Sequence, residues 1–239
     1  MKRTTIIIAA VSVAGIGAGI IYGLNHKPLL PQSTTSVQTQ QTPASQNFDK
    51  KQYSISDPAS QWIVVNKQRP LDPKTYSPSD LTAVGNGQNL RMTAADAYKQ
   101  LVAGAKAAGY TLVPESGYRS YVTQVSVYGN EVKNYGQAVA DSESARPGYS
   151  EHQTGWAVDI ATPGCREDCF GSTDAAKWVL AQAADYGYIR RYVPDKSAIT
   201  GYRTEPWHFR YVGKALAAEL SRTGQTLEEF FDLPSAPNY

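Results

Sequence analysis

An uncharged stretch at residues 4–24, directly behind Lys2 and Arg3, divides the sequence before any other pattern is read. As a helix it would span about 32 Å at roughly 1.5 Å per residue, enough to cross the hydrocarbon core of a bilayer. The basic flank predicts that the N-terminus stays in the cytoplasm and that the rest of the chain is exported. A cleaved signal peptide needs a shorter apolar core and small residues at the cut, which Gly15, Gly17 and Gly19 could supply. An uncleaved anchor needs about 20 apolar residues, and the length of the stretch favours it. A buried soluble helix fits poorly, because the stretch is Gly-rich, apolar on all sides and followed by polar linker. From Leu30 to Asn47 the chain lacks charge, aromatics and periodicity, a composition that cannot bury a core and reads as a tether. The expected organisation is a transmembrane anchor or signal segment at 1–29, a flexible linker at 30–50 and a folded domain at 51–239. It places the domain outside the cytoplasm, on a single-pass membrane protein or, if the segment is cleaved, a secreted one.

Composition narrows what that domain can be. With 23 Lys+Arg against 21 Asp+Glu, the formal charge of +2 offers no basic stripe for nucleic acid. Sixteen Tyr, four Trp and 41% hydrophobic residues exclude a mostly disordered chain. Two Cys are too few for a disulfide scaffold or a four-Cys zinc site, and three His exclude a His-rich metal site. Nothing in the sequence calls for an obligate protein partner.

Residues 61–66, an apolar run before Pro70, suggest a strand or an opening segment. Thr93 and Asp96 resemble a capping box that starts an Ala-rich helix ending near Gly109, with a strand expected at 110–113. Ser120 could cap a second helix carrying Val122, Val125 and Val132 and stopping before Gly136. A third helix follows Thr173 and ends at Gly187, strands are expected at 188–193 and 207–212, and a helix covers 214–222. Thr226 and Glu229 open a short last helix. Few strands flanked by helices indicate an α+β class.

Two of the three His lie beside carboxylates. In Ser150-Glu-His-Gln-Thr-Gly-Trp-Ala-Val-Asp-Ile160, His152 precedes a strand pattern in which Asp159 points away from the apolar face. In Glu205-Pro-Trp-His-Phe-Arg-Tyr-Val212, His208 and Arg210 share one strand face, with Trp207, Phe209 and Tyr211 on the other. His152, Asp159 and His208 together would supply two nitrogens and one oxygen to zinc and leave a fourth position for water. Glu205 is then the candidate general base. A histidine on a strand is more often structural, and spacing alone does not bring the two segments together. Arg119, in Ser-Gly-Tyr-Arg-Ser between a strand and a helix, could bind a carboxylate or an oxyanion, or be a plain surface residue. Cys165 and Cys169 close a short loop; outside the cytoplasm a disulfide is the expected state, although metal ligation fits the residue type.

The set S-G-Y-R-S, S-E-H-Q-T-G-W-A-V-D-I and E-P-W-H-F-R-Y-V-G resembles the VanY-type D-alanyl-D-alanine carboxypeptidases, within the LAS group of zinc peptidases. The likeness runs from about Trp62 to Gly213. It implies a small antiparallel sheet with flanking helices and a zinc cofactor held by His152, Asp159 and His208. It further implies Glu205 as catalytic base and Arg119 as the residue that contacts substrate and steadies the transition state. Gln124, Ser150 and Trp207 match positions lining the substrate site. The implied substrate is a peptidoglycan stem peptide ending in D-Ala-D-Ala. An L,D-carboxypeptidase acting on tetrapeptide stems, a wall endopeptidase, or a zinc-holding binding module without catalysis would carry similar motifs. Retained Glu205 and Arg119 argue against the binding module, which needs neither.

Overall fold

The computed structural model describes residues 48–239, so the expected anchor at residues 4–24 and most of the expected linker lie outside the described residues. Among the described residues no helix is long and apolar enough to cross a membrane. In chain order the elements are β1 (Leu81–Gly85), β2 (Gln88–Arg91), α1 (Met92–Ala107), β3 (Val113–Ser116), α2 (Tyr121–Tyr135), α3 (Gln137–Glu143), β4 (Ala157–Ala161), α4 (Asp168–Gly171), α5 (Asp174–Gln182), β5 (Tyr188–Arg190), α6 (Ser197–Thr200), β6 (His208–Tyr211), α7 (Lys214–Thr223) and α8 (Leu227–Phe230). The architecture is α+β: a β1–β2 hairpin and an antiparallel four-stranded sheet in the order β3-β4-β6-β5, with helices around them.

Local chemistry sets several helix starts. Ser120 Oγ accepts from the Thr123 N–H and Thr173 Oγ1 from the Ala176 N–H, each satisfying a donor that the first turn leaves unpaired. Thr226 and Glu229 complete a reciprocal capping box at α8. The expected box at Thr93 does not form: α1 starts at Met92 without a side-chain cap, because the chain enters it directly from the hairpin. α1 still buries the expected face, with Ala94, Tyr98, Leu101 and Ala105 in the core.

Residues 61–66 are buried but form no strand; Asn66 makes only an isolated bridge to Arg69. The strand expected at 110–113 occupies Val113–Ser116 instead. On α2 Val122 and Val125 are exposed, and Gln124 alone is buried. The β1–β2 hairpin and α3 were not anticipated. Phe48 and Lys50, within the stretch read as linker, pack onto the fold, Phe48 against Trp62 at 5.5 Å and Lys50 against Asp232 at 2.9 Å.

The core has two parts. One joins α1, α5 and the apolar face of β4 and β6, around Leu101, Ile160, Tyr188 and Phe209. The other joins Trp62 and Val64 to α7 and α8, where the Trp62 indole donates to the Val212 carbonyl at 2.8 Å. The opposite face of the sheet, bearing Asp159 and His208, is thereby left for polar groups. The register of β4 on β6 sets Asp159 directly across from His208, and Ser116 of β3 lies across from Asp159 on the other side.

Candidate active site

Sheet register brings two of the predicted residues together, and a short 3-10 turn brings the third. His152 lies in the turn Glu151–Thr154, which Gly155 ends at φ +73°; a Cβ there would meet Arg91 Cγ at 2.8 Å. Each of His152, Asp159 and His208 offers one ligand atom within 4.8 Å of the others. His152 Nε2 is 3.3 Å from Asp159 Oδ2, and His208 Nδ1 is 3.3 Å from Asp159 Oδ1.

Hydrogen bonds set the imidazole tautomers. His152 Nδ1 donates to the Gly117 carbonyl at 2.8 Å, which leaves the Nε2 lone pair facing Asp159. His208 Nε2 donates to Glu151 Oε2 at 3.2 Å, which leaves Nδ1 as its inward acceptor. Gly117 must be glycine, since a Cβ would stand 2.5 Å from the Asn89 carbonyl oxygen. Two imidazole lone pairs and a carboxylate thus converge, and Asp159 Oδ1 is buried without a hydrogen-bond partner. Acceptors that face one another need a cation between them. Without a metal the charge imbalance is taken up by a proton. Burial disfavours charge on His208, but Asp159, Glu151 and Glu205 outweigh it and raise its pKa to about 10. Burial also works against the Asp159 charge, yet the two imidazoles hold its pKa well below the usual carboxylate range. The donor set fits zinc.

Glu205 Oε2 stands 3.5 Å from His208 Nδ1, and its backbone N–H is held by the Tyr192 carbonyl at 3.1 Å. Burial pushes its carboxyl up to about 8, helped by Asp159 and opposed by His208. Arg119 reaches the same space. Its Nη1 donates to Gln124 Oε1 at 3.0 Å, its Nη2 to Ser116 Oγ at 2.8 Å, and Nη2 lies 4.0 Å from Asp159. Burial lowers the Arg119 pKa, while Asp159 and Glu205 oppose that. All of these except Gln124 and Ser116 border one cavity of about 480 Å3, together with Ser150 and Trp207. Gln124 is fully buried behind Arg119: its carbonyl grips the guanidinium and its amide donates to the Ala145 carbonyl at 2.7 Å. The Cys165–Cys169 disulfide is formed, with Cα atoms 5.3 Å apart. The loop it closes carries Glu167 to the cavity wall.

Sequence reasoning missed the charges behind the site. Glu151 is buried and accepts from Arg191 Nε at 2.9 Å, Arg210 Nη1 at 2.8 Å and His208. Burial works to raise its pKa, and the two guanidiniums hold it far below the usual range. Arg191 also grips Glu228 bidentately, and Glu228 accepts from Asn66 at 3.0 Å. Arg210 donates to the carbonyls of Gln61 and Ile63 as well. The only available signal for Glu151 was its position beside His152.

Residues 87–214 match the family model for VanY, D-alanyl-D-alanine carboxypeptidase. YodJ of Bacillus subtilis (strain 168), a protein named as a carboxypeptidase, is 42% identical over 191 residues, 75% of this chain and 70% of its own. The LD-carboxypeptidase LdcB superposes with a TM-score of 0.68 at 41% identity, over 74% of this chain and 88% of LdcB. A variant of the vancomycin-resistance D,D-pentapeptidase VanY, in complex with Zn(II), superposes with a TM-score of 0.63 at 34% identity, over 70% of this chain and 97% of VanY.

Proposed function

The chain belongs to the VanY D-alanyl-D-alanine carboxypeptidase family of zinc peptidases, and from that premise we propose that it removes the C-terminal D-alanine from peptidoglycan stem peptides ending in D-Ala-D-Ala. The observation that carries this reading is the single cavity bordered by His152, Asp159, His208, Glu205 and Arg119.

His152 Nε2, an Asp159 oxygen and His208 Nδ1 would hold a zinc ion, which when bound would supply acidification of water and polarisation of the scissile carbonyl. The chain's own residues do the rest. Glu205, whose burial raises its carboxyl to about 8 and so strengthens it as a base, takes in its ionised form the proton of the attacking water and delivers it to the leaving D-alanine nitrogen. Arg119 donates to the oxygen on which negative charge gathers, and its geometry is fixed in advance by Gln124 and Ser116. Ser150 and Trp207 line the space for the peptide. Burial of the cluster keeps bulk water from competing for these donors.

A second reading has a specific support: identity to the LD-carboxypeptidase LdcB, at 41%, exceeds that to the D,D-pentapeptidase VanY, at 34%. The same catalytic residues would then act on tetrapeptide stems. D-Alanine release from pentapeptide and tetrapeptide stems, measured side by side with a chelator control, separates the two. Release from pentapeptide alone, lost on chelation, supports the D,D reading; release from tetrapeptide alone overturns it. The expected topology, an anchor at 1–29 and a tether to residue 50 carrying an extracytoplasmic domain, agrees with a substrate outside the cell.

A further inference from the structure

Beside β5, an edge strand of the sheet, lies a cavity of about 190 Å3 that shares no residue with the active-site cavity. Its walls are largely apolar, with Leu180, Ala184, Ile189 and Leu220 among them, and among the described residues no Asp or Glu borders it. Two consecutive arginines do. Arg191 points to the interior, where Glu151 and Glu228 engage it. Arg190, the last residue of β5, makes no hydrogen bond and no ion pair among the described residues, and its Nε is buried without a partner. The nine other described arginines each donate at least one side-chain hydrogen bond. Burial lowers the Arg190 pKa and nothing nearby opposes it. A half-desolvated guanidinium with no counter-charge is costly, and a planar fork of donors suits a carboxylate or phosphate. Leu180 remains 49% exposed at the rim, which leaves apolar surface for a ligand to cover.

We propose that this cavity is a second ligand site, taking a small organic anion whose carboxylate or phosphate head sits on Arg190 and whose short aliphatic body lies along Leu180, Ile189 and Leu220. The volume falls short of the roughly 300–1,000 Å3 of a drug-sized site, so the ligand is small.

The test is calorimetric titration of the zinc-loaded chain with hexanoate, hexyl phosphate and, as the opposite-charge control, hexylammonium. The wild type is expected to bind one or both anions and not hexylammonium. Arg190→Gln should weaken binding by about tenfold or more, the worth of a charge-assisted contact, and Arg190→Lys should restore part of it. No binding of either anion overturns the proposal. So does binding that survives Arg190→Gln, which would place the anion at Arg119. If Arg190→Gln fails to fold, amide shift changes in the wild type decide: at Leu180, Ile189 and Gly224 they support the site, and confined to the larger cavity they overturn it. Phosphatidylglycerol vesicles identify the source of the head group. Cosedimentation that Arg190→Gln abolishes and phosphatidylcholine does not reproduce assigns a lipid, and binding of the soluble anions alone assigns a free one.

Discussion

Glu151→Gln should loosen the zinc site without touching a zinc ligand. Three donors converge on Glu151: Arg191 Nε at 2.9 Å, Arg210 Nη1 at 2.8 Å and His208 Nε2 at 3.2 Å. Glutamine keeps the volume but offers one oxygen and an NH2, so at least one donor is left facing another donor. Breaking a buried ion pair costs about 3–5 kcal/mol. The lower end applies here, since Arg191 keeps Glu228 at 2.5 Å and Arg210 keeps three carbonyls. A loss of about 3 kcal/mol lowers the melting temperature by roughly 6–12 °C in a domain of this size. His208 meanwhile loses the acceptor that fixes its tautomer, and loss of such a partner weakens metal binding by about 10–100-fold.

Zinc affinity measured by competition with a chromophoric chelator, alongside thermal melting of metal-free protein, reads both effects. Glu228→Gln is the control: it damages the same Arg191 network but does not reach His208, so it should lower the melting temperature with little change in zinc affinity. If Glu151→Gln binds zinc within about twofold of wild type, or if both variants weaken zinc equally, Glu151 does not act through His208 and the reasoning fails.

Four further outcomes rest on the same geometry. Glu205→Gln should keep full zinc by metal analysis and lose about 10²–10⁴-fold in turnover; near wild-type kinetics would remove Glu205 from proton transfer. His208→Ala should lose zinc, and full occupancy would sink its assignment as a ligand. Zinc affinity should rise with pH from 6 to 8, by up to about tenfold per unit. The sign comes from His208, whose metal-free pKa is raised to about 10: below that pH zinc must displace a proton, so acid weakens binding, and a flat chelator-competition profile would refute it. Tyr239→Ala should raise KM while sparing kcat and zinc affinity. The Tyr239 hydroxyl accepts from the Arg146 N–H at 2.7 Å and meets the Tyr202 hydroxyl at 3.1 Å, bracing one cavity wall from behind; steady-state kinetics with unchanged KM would show that the wall does not need it.

Elements set by nearest neighbours were legible in the sequence. Ser120, Thr173 and Thr226 cap helices through residues three positions on, a reach that sequence displays directly. The hairpin was equally local and was overlooked: Asn86-Gly87 between β1 and β2 carries the positive φ that a tight reversal needs, and it is a strong short-range hairpin signal. Residues 61–66 misled for another reason. An apolar run reports burial rather than pairing, and this one is buried because Trp62 and Val64 pack against α7 and α8 and Ile63 and Val65 into the main core, while Arg210, not a strand partner, takes the carbonyls of Gln61 and Ile63.

The same distinction explains what was seen of the site and what was not. His152, Asp159, Glu205 and His208 sit in two short motifs, and one antiparallel register then suffices to set Asp159 against His208. The charges that orient them come from far along the chain: Glu151 meets Arg191 across 40 residues and Arg210 across 59, and Arg191 meets Glu228 across 37. A charged residue is solvated by default, so no local pattern marks the few whose burial is compensated by a distant partner. Arg190 and Arg191 make the point within one dipeptide. Identical side chains in succession at the end of β5 meet opposite fates, one neutralised by two buried carboxylates and the other left without a counter-charge among the described residues. What separates them is the sheet, and the sheet is assembled from segments that the sequence does not show to be neighbours.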